Sequence, residues 1–243
     1  MRPTLFLSDL HLSPARPALV AAFHAFCNGP ARNAREIYIL GDLFDAWLGD
    51  DQLQDPFAAD VAACLRASTQ AGVRIGIIRG NRDFLLGDAF ARASGVTLLP
   101  EQVVVDVAGT PTLILHGDEL CTSDRSYQRF RVLTHSRGVQ RAVLATPYPF
   151  RRGLARALRR HSRRASAMKS ERITDVATDA VVAAFRAHGV NRMVHGHTHR
   201  PARHDVTVDG EHCERWVLAD WYDRGTYLEC SDAGMVVREI SGS

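Results

Sequence analysis

The sequence predicts an α/β fold with two packed sheets and a helical insertion over about residues 124–169. Three observations lead to this class. Between residues 4 and 107, short apolar runs alternate with helical segments, as in the βαβ units of a largely parallel sheet. The insertion contains no β run. After Met193 short strands return, separated by Asp-Gly and Asp-Ala-Gly turns.

The individual elements follow from apolar periodicity and from turn residues. Pro147 and Pro149 are expected to break the insertion between two helices, because proline ends helices. A turn at residues 108–111 predicts a hairpin. The predicted strands are residues 5–7, 37–40, 75–78, 102–107, 112–116, 193–194, 206–208, 215–218, 226–230 and 235–239. The predicted helices are residues 17–27, 56–71, 127–134, 139–145, a basic helix ending near residue 169, and 174–188.

Polar side chains with metal-binding chemistry follow five of the predicted strands, four of them directly and the fifth after the shorter run Met193-Val194. Since ligand sites of α/β folds lie outside the carboxyl ends of the strands, these five clusters are expected to converge on one rim. The clusters are Ser8-Asp9-Leu10-His11, Gly41-Asp42-Leu43-Phe44-Asp45, Gly80-Asn81-Arg82-Asp83, His116-Gly117-Asp118 and Gly196-His197-Thr198-His199. The candidate ligands are Asp9, His11, Asp42, Asn81, His116, His197 and His199.

The chemistry of these ligands indicates a dinuclear metal site. Carboxylate, imidazole and amide oxygen together suit Mn²⁺, Fe²⁺ or Zn²⁺. If residues 9–11 are extended, Asp9 and His11 point to one face, and the same geometry is expected for His197 and His199. Seven ligands fit two ions that share a carboxylate, for which we assign Asp42. Two such ions about 3.5–4 Å apart activate hydroxide and stabilise phosphoryl charge, so the pattern favours a phosphoester or pyrophosphate hydrolase.

Other interpretations of the same residues stay open at this point. Polar residues at strand ends often cap helices or turns, and Asn81 could occupy a tight turn after Gly80. His195 is expected to be a core residue or to support a ligand. A nuclease would use the same metals but would need a basic groove. A catalytically silent scaffold would be expected to lack some of the seven ligands, and all seven are present.

The ordered motifs resemble the calcineurin-like metallophosphoesterase superfamily over nearly the whole chain. Within it, strings such as Gly41-Asp42-Leu43-Phe44-Asp45-Ala46-Trp47 and Leu120-Cys121-Thr122-Ser123-Asp124 resemble the UDP-2,3-diacylglucosamine diphosphatase family of lipid A synthesis. The resemblance implies one domain over residues 1–243, built as a β-sandwich flanked by helices, with residues 124–169 as a helical cap. It also implies water attack on the α-phosphorus of the UDP-sugar, giving UMP and 2,3-diacylglucosamine 1-phosphate.

The same resemblance implies the cofactors and the site residues. It implies two Mn²⁺ ions and catalytic roles for Asn81 and Arg82. One ion would be held by Asp9, His11, Asp42 and His199, and the other by Asp42, Asn81, His116 and His197. The implied substrate contacts are Asn81, Arg82, Asp124, Ser162, Ser166, Lys169 and His197.

Two positions depart from what many relatives carry. Arg82 stands where many superfamily members have a histidine that protonates an alkoxide. Arginine stays charged in proteins and cannot do so. A sugar-phosphate leaving group needs no such proton, since its second pKa is about 6. Arg82 therefore favours pyrophosphate cleavage, with the guanidinium clamping a phosphate oxygen. Asp45 replaces an expected glutamate, and its shorter carboxylate could still support a metal ligand.

Charge and cysteine content indicate the compartment. The net charge is +3, yet residues 151–169 contain eight basic and no acidic residues. The basicity thus belongs to one segment, which argues against general nucleic-acid binding and favours one anionic surface. Basic and apolar residues together suit a helix that meets anionic lipid. Five scattered cysteines favour a cytosolic protein, and no apolar run is long enough to span a membrane. The lipid substrate implied by the resemblance adds the expectation of peripheral attachment to the cytoplasmic face of the inner membrane. No obligate protein partner is inferred.

Overall fold

A computed structural model describes residues 2–155, 157, 175–222 and 224–240. The described strands are β1 Thr4–Leu7, β2 Glu36–Leu40, β3 Arg74–Ile78, β4 Thr97–Leu98, β5 Gln102–Val107, β6 Thr110–Leu115, β7 Arg192–His195, β8 Ala202–Val208, β9 Glu211–Val217, β10 Thr226–Ser231 and β11 Gly234–Glu239. The described helices are α1 Pro17–Asn28, α2 Pro56–Gln70, α3 Asp88–Ser94, α4 Arg125–His135, α5 Arg137–Leu144 and α6 Thr178–His188, and residues 148–155 are also helical.

The strands form two sheets, as the sequence predicted. The first sheet has the order β11-β10-β1-β2-β3-β4, and its strands β1 to β4 run parallel. The second has the order β5-β6-β7-β9-β8, with β6, β7 and β9 parallel. Leu7 pairs with Ile39, and Leu40 pairs with Ile78. The carboxyl ends of β1, β2 and β3 therefore lie nearly level at one edge, where the segments after them can meet.

Apolar side chains hold the two sheets face to face. One buried cluster lies between them and includes Phe6 and Ile78 from the first sheet and Ile114 and Val194 from the second. A larger cluster joins the outer face of the first sheet to α1, α2 and α3, and a third joins the second sheet to α6. Each sheet is thus covered on both faces, which explains why its central strands read as continuous apolar runs.

Several elements differ from the sequence prediction. Helix α3 and strand β4 were missed, because each is short and α3 is held by a distant residue. Asp50 accepts hydrogen bonds from the backbone nitrogens of Gly87 (3.0 Å), Ala89 (2.8 Å) and Phe90 (3.1 Å). Strand β8 begins four residues earlier than predicted, at Ala202, in a segment that is polar and exposed.

The insertion is helical where the structure describes it. Helices α4 and α5 match the predicted segments, and a new helical segment starts at Tyr148, between Pro147 and Pro149. Arg151 is buried, donates to the carbonyl of Leu48 at 2.5 Å and forms an ion pair with Asp51, so this segment is fastened to the body. The rest of the expected basic helix lies outside the described residues. Among the helices that are described, none combines the length and the apolar composition needed to cross a bilayer.

Candidate metal centre

The loops that carry the seven candidate ligands meet at one rim, where the two sheets adjoin. Asp9 and His11 follow β1, Asp42 follows β2, and Asn81 follows β3, all in the first sheet. The remaining three come from the second sheet: His116 follows β6, while His197 and His199 follow β7. The predicted convergence is therefore confirmed as geometry, and the role of these residues as ligands stays a prediction.

The first group consists of Asp9, His11 and His199, whose ligand atoms lie within 4.8 Å of one another. Nε2 of His199 lies 3.2 Å from Oδ1 of Asp9, and Nε2 of His11 lies 3.9 Å from the same oxygen. Asp42 borders this group, because its Oδ2 lies 3.7 Å from Nδ1 of His11. Four of the implied ligands of one ion are thus adjacent.

The second group consists of Asp9, Asp42 and His116, again with ligand atoms within 4.8 Å of one another. Nε2 of His116 lies 4.0 Å from Oδ1 of Asp42, 3.1 Å from Oδ1 of Asn81 and 3.2 Å from Nδ1 of His197. Asp42 thus stands between the two groups, where a bridging carboxylate was expected. Asp9, rather than Asp42, is the residue that belongs to both groups, which the sequence did not indicate.

The backbone of the ligand loops is not extended, and that expectation was wrong. Positive φ angles occur at Asp9 (55°), His11 (47°), Asp42 (54°), His197 (69°) and His199 (54°). For residues other than glycine this left-handed conformation is strained, and such strain clusters at functional sites. The backbone turns sharply at these positions. The placement of the side chains at the rim therefore depends on these turns, and not on the alternation of side chains along an extended strand.

Two glycines allow these loops to approach closely. A Cβ at Gly196 would collide with the hydroxyl of Ser8 and the carboxylate of Asp9, and a Cβ at Gly80 would collide with Asp42. Gly196 therefore lets the loop after β7 press against the loop after β1. In the same contact the backbone nitrogen of His197 donates to Oδ2 of Asp9 at 2.8 Å. These glycines of the motifs are required by packing.

The carboxylate of Asp83 organises the loops after β2 and β3. It is fully buried and accepts hydrogen bonds from the backbone nitrogens of Gly80 (2.7 Å) and Leu43 (2.7 Å). Asp42 in turn accepts from the backbone nitrogen of Arg82 at 2.8 Å. The two loops thus hold each other through their own aspartates, Asp42 and Asp83.

The pKa values of the buried groups at the rim are shifted in different directions. Burial, together with the carboxylates of Asp83 and Asp9, raises the pKa of Asp42 to about 7. Burial lowers the pKa of His116, but Asp42 and Asp9 outweigh it and raise that pKa to about 9. Burial lowers the pKa of His197 to about 4. A compact set of carboxylates and imidazoles that perturb one another in this way is typical of a functional site.

The residues of the rim fit divalent metal ions. Within the described part of the chain, both ring nitrogens of His11 are buried and neither has a hydrogen-bond partner. Burial, with the nearby Arg82, lowers the pKa of His11 to about 3, so its ring is neutral at physiological pH. A neutral, buried imidazole without partners is costly unless a ligand takes up its lone pair. Carboxylate, imidazole and amide donors are also the set that borderline divalent metals accept.

The predicted substrate contacts are only partly described. Arg82 lies at the rim with its side chain one-third exposed; Nη1 lies 2.8 Å from Asp45, and Nε lies 3.5 Å from Asp42. Asp45 thus contacts Arg82. Asp124 is buried and caps α4, accepting from the backbone nitrogen of Tyr127 at 3.0 Å. The remaining predicted contacts, Ser162, Ser166 and Lys169, lie outside the described residues.

Sequence reasoning missed two residues that support the rim. Asp220 lies 3.2 Å from Nδ1 of His199. Tyr127 stacks on the ring of His197, with centroids 5.9 Å apart, and donates to the buried Asp118 at 2.6 Å. Asp220 could have been found, because it follows β9 just as the other polar clusters follow their strands. Nothing in the sequence around Tyr127 indicated its contact.

The fold and this rim define a metal-dependent phosphoesterase. A family model described as calcineurin-like phosphoesterase matches residues 2–201, and the chain belongs to that family. A dimetal phosphatase from Danio rerio has a similar fold, with a TM-score of 0.52 over 99% of each chain at 12% identity.

Curated relatives are more similar still. The chain is 46% identical to a UDP-2,3-diacylglucosamine hydrolase of Cellvibrio japonicus, over 97% of this chain and 98% of the relative. It is also 46% identical to the protein of that name from Pseudomonas paraeruginosa, over 95% of each chain. The similarity spans the rim, the sheets and the insertion alike.

Proposed function

We propose that this protein hydrolyses the pyrophosphate bond of UDP-2,3-diacylglucosamine by water attack on the α-phosphorus, giving UMP and 2,3-diacylglucosamine 1-phosphate. The observation that carries the proposal is the rim itself, where two candidate metal groups share Asp9 beside a partly exposed arginine. Relatives that bear the name of this activity support the substrate, since their similarity extends over nearly the whole chain.

We assign two Mn²⁺ ions to the rim. Asp9, His11, Asp42 and His199 would hold one, and Asp42, Asn81, His116 and His197 would hold the other. When bound, such ions lower the pKa of water and neutralise charge on a phosphoryl oxygen. The mixed oxygen and nitrogen donors suit Mn²⁺ among the divalent metals.

Arg82 is proposed to align the pyrophosphate. Its guanidinium is held on one side by Asp45 and borders Asp42, so its orientation is fixed before substrate binds. Pre-organised charge next to a reacting phosphate stabilises charge that develops in the transition state. The leaving group is a phosphate monoester that departs without a proton from the enzyme, because its second pKa is about 6. An arginine is therefore sufficient at this position, whereas an alkoxide leaving group would require a residue that can donate a proton.

The insertion is proposed to receive the lipid part of the substrate, with contacts from Asp124, Ser162, Ser166 and Lys169. Apolar side chains on its described helices are exposed, including Phe130 (44%), Leu133 (56%) and Phe150 (61%). Together with the eight basic residues of segment 151–169, they suit a peripheral contact with the cytoplasmic face of the inner membrane.

Charge reversal at Arg159, Arg160, Arg163 and Arg164 is expected to reduce binding to anionic vesicles without changing metal content. The same reversal at Arg203 and Arg238, on β8 and β11, serves as the control; equal loss in both variants would contradict the assignment.

The deciding experiment is product analysis with UDP-2,3-diacylglucosamine in ¹⁸O-labelled water. Label in UMP is expected. Label found only in the lipid phosphate would show instead that water attacks the phosphorus that stays with the lipid. Asp42→Ala and Asn81→Ala are expected to abolish turnover while circular dichroism stays unchanged. A protein that cleaves a generic phosphodiester but leaves the UDP-lipid intact would overturn the proposed substrate.

A further inference from the structure

His195 is the last residue of β7, two positions before the candidate ligand His197, and its side chain is fully buried. Both of its ring nitrogens have a partner. Nε2 lies 2.9 Å from Nη1 of Arg215, on the neighbouring strand β9, and Nδ1 lies 2.9 Å from the carbonyl oxygen of Gly196. Arg215 is also buried, and it pairs in the sheet with Met193, two residues before His195. The side chains of Arg215 and His195 therefore share one face of the sheet.

The contact with Arg215 fixes which nitrogen of His195 carries the proton. A guanidinium group stays charged in proteins and has only N–H donors, so it cannot accept a hydrogen bond. Nε2 of His195 must therefore be the acceptor, and the single proton of the ring lies on Nδ1. Nδ1 in turn donates to the carbonyl oxygen of Gly196, which also accepts from the backbone nitrogen of Thr198 at 2.8 Å.

This series of hydrogen bonds continues through one peptide group to Asp9. The carbonyl of Gly196 and the N–H of His197 belong to the same planar peptide unit, and that N–H donates to Oδ2 of Asp9 at 2.8 Å. The hydroxyl of Ser8 donates to the same oxygen at 2.6 Å. The other oxygen of the carboxylate, Oδ1, lies 3.2 Å from Nε2 of His199. One oxygen of Asp9 is thus held by donors of the protein, and the other lies next to a candidate metal ligand.

We propose that Arg215 and His195 are positioning residues of the metal centre, which hold and polarise the peptide between Gly196 and His197 so that it donates strongly to Asp9. The inference rests on the proposed metal-dependent function, since Asp9 belongs to both candidate metal groups. Hydrogen bonds in series strengthen one another, and a charged donor at the start of the series strengthens it further. Residues that orient a metal ligand from behind typically change metal affinity by about 10- to 100-fold.

A role in packing alone is the competing explanation, because the ring of His195 lies so close to Gly117 that a Cβ there would collide with it. The two explanations differ in what they require at the position of Nδ1. Asparagine places an amide nitrogen there, which can donate to Gly196, whereas leucine is similar in size and has no donor. If packing alone matters, His195→Asn and His195→Leu will behave alike.

The first test measures the tautomer of His195 in the metal-free, full-length protein. Two-bond ¹H–¹⁵N correlation spectra of protein labelled with ¹⁵N-histidine distinguish a ring protonated on Nδ1 from one protonated on Nε2, and the signal of His195 is the one that His195→Asn lacks. The wild-type ring is expected to carry its proton on Nδ1, and Arg215→Met should also populate the Nε2 form. Arg192→Met is the matched control, because Arg192 lies on β7 and donates to Glu214 at 2.7 Å, so this variant should keep the wild-type tautomer. A wild-type ring protonated on Nε2 would overturn the proposal, whether or not the variants fold.

The second test is calorimetric titration with Mn²⁺ of variants that circular dichroism shows to be folded. Arg215→Met and His195→Leu are expected to bind Mn²⁺ at least about tenfold more weakly than the wild type. Arg215→Lys, which keeps a charged donor, and His195→Asn should recover most of that affinity, and Arg192→Met should lose none. Wild-type affinity in Arg215→Met, or equal losses in His195→Asn and His195→Leu, would overturn this inference and leave the proposed function intact. A wild-type protein that binds no Mn²⁺ would overturn both.

Discussion

Asp220 lies 3.2 Å from Nδ1 of His199, while Nε2 of the same ring lies 3.2 Å from Asp9. The two carboxylates thus fix the orientation of the imidazole from both of its nitrogens. Their hydrogen bonds outweigh burial and raise the pKa of His199 to about 10. An imidazole that binds metal through one nitrogen commonly donates the other to a carboxylate, which fixes the tautomer and raises its basicity.

Asp220→Ala is therefore expected to weaken metal binding by about 10- to 100-fold, without loss of a ligand. The measurement is calorimetric titration of the metal-free protein with Mn²⁺. Asp205→Ala is the matched control, because Asp205 also contacts a histidine, His212, at 3.0 Å but on an exposed strand. Equal affinities for Mn²⁺ in the wild type and in Asp220→Ala would show that Asp220 does not support metal binding.

Metal binding is expected to release protons. In the metal-free protein the pKa values of His116 (about 9) and His199 (about 10) both lie above 7, so both rings are protonated at neutral pH. A histidine must be neutral and a carboxylate ionised to bind metal, so near pH 7 about two protons leave the histidines, and Asp42, with a pKa of about 7, releases about half a proton more. Metal affinity should therefore fall as pH decreases from about 9.

The measurement is calorimetry at one pH in two buffers that differ in ionisation enthalpy. The difference between the observed heats gives the number of protons released. His116→Ala should reduce that number by about one, whereas His212→Ala, at an exposed position of β9, should leave it unchanged. A heat that is the same in both buffers would contradict the protonation states.

The convergence of the candidate ligands was predictable from the sequence to the extent that each of them follows a strand. Buried parallel strands are recognisable as apolar runs, and their carboxyl ends share an edge, so the local pattern suffices to place Asp42 and Asn81 together. The positive φ angle of Asp42 could not be foreseen. It results from tertiary contacts such as that between Asp83 and the backbone of Leu43, which join residues 40 apart in sequence.

Helix α3 and the start of strand β8 were missed for the same physical reason. Helix α3 contains seven residues, too few for a helical periodicity to be distinguished, and it is stabilised by Asp50 from a different loop. Strand β8 presents exposed polar residues, so it lacks the alternation that marks a half-buried strand. In both cases the information lies in contacts between distant residues, which a local pattern does not contain.

Gly196→Ala is expected to disrupt the centre although no ligand is changed. The added methyl would collide with Ser8 and Asp9, so the loop that carries His197 would have to move away from the loop after β1. A displacement of about 1 Å can cost 100-fold in rate, and a loss of at least about that size is expected in a turnover assay. Gly153→Ala is the control, because a Cβ there meets no atom within 4 Å in the described structure. Equal turnover in the two variants would contradict this account of Gly196.

Arg82→Ala is expected to lower turnover by about 10²- to 10³-fold, the usual effect of removing one pre-organised charge from a developing phosphoryl charge. Arg82→Lys should recover only part of this, because a lysine cannot reproduce the planar pair of donors. Metal content should be unchanged in both variants, since the side chain of Arg82 comes no closer than 3.5 Å to Asp42, and the 2.8 Å hydrogen bond to Asp42 comes from the backbone nitrogen of residue 82, which both variants keep. Steady-state kinetics with the UDP-lipid, alongside metal analysis, measure the two effects separately.

Arg203→Ala, which removes an exposed ion pair with Asp205, is the matched control. Full activity in Arg82→Ala would show that Arg82 is not needed for turnover. Loss of metal together with activity would show that Arg82 supports the metal centre rather than aligning the phosphate.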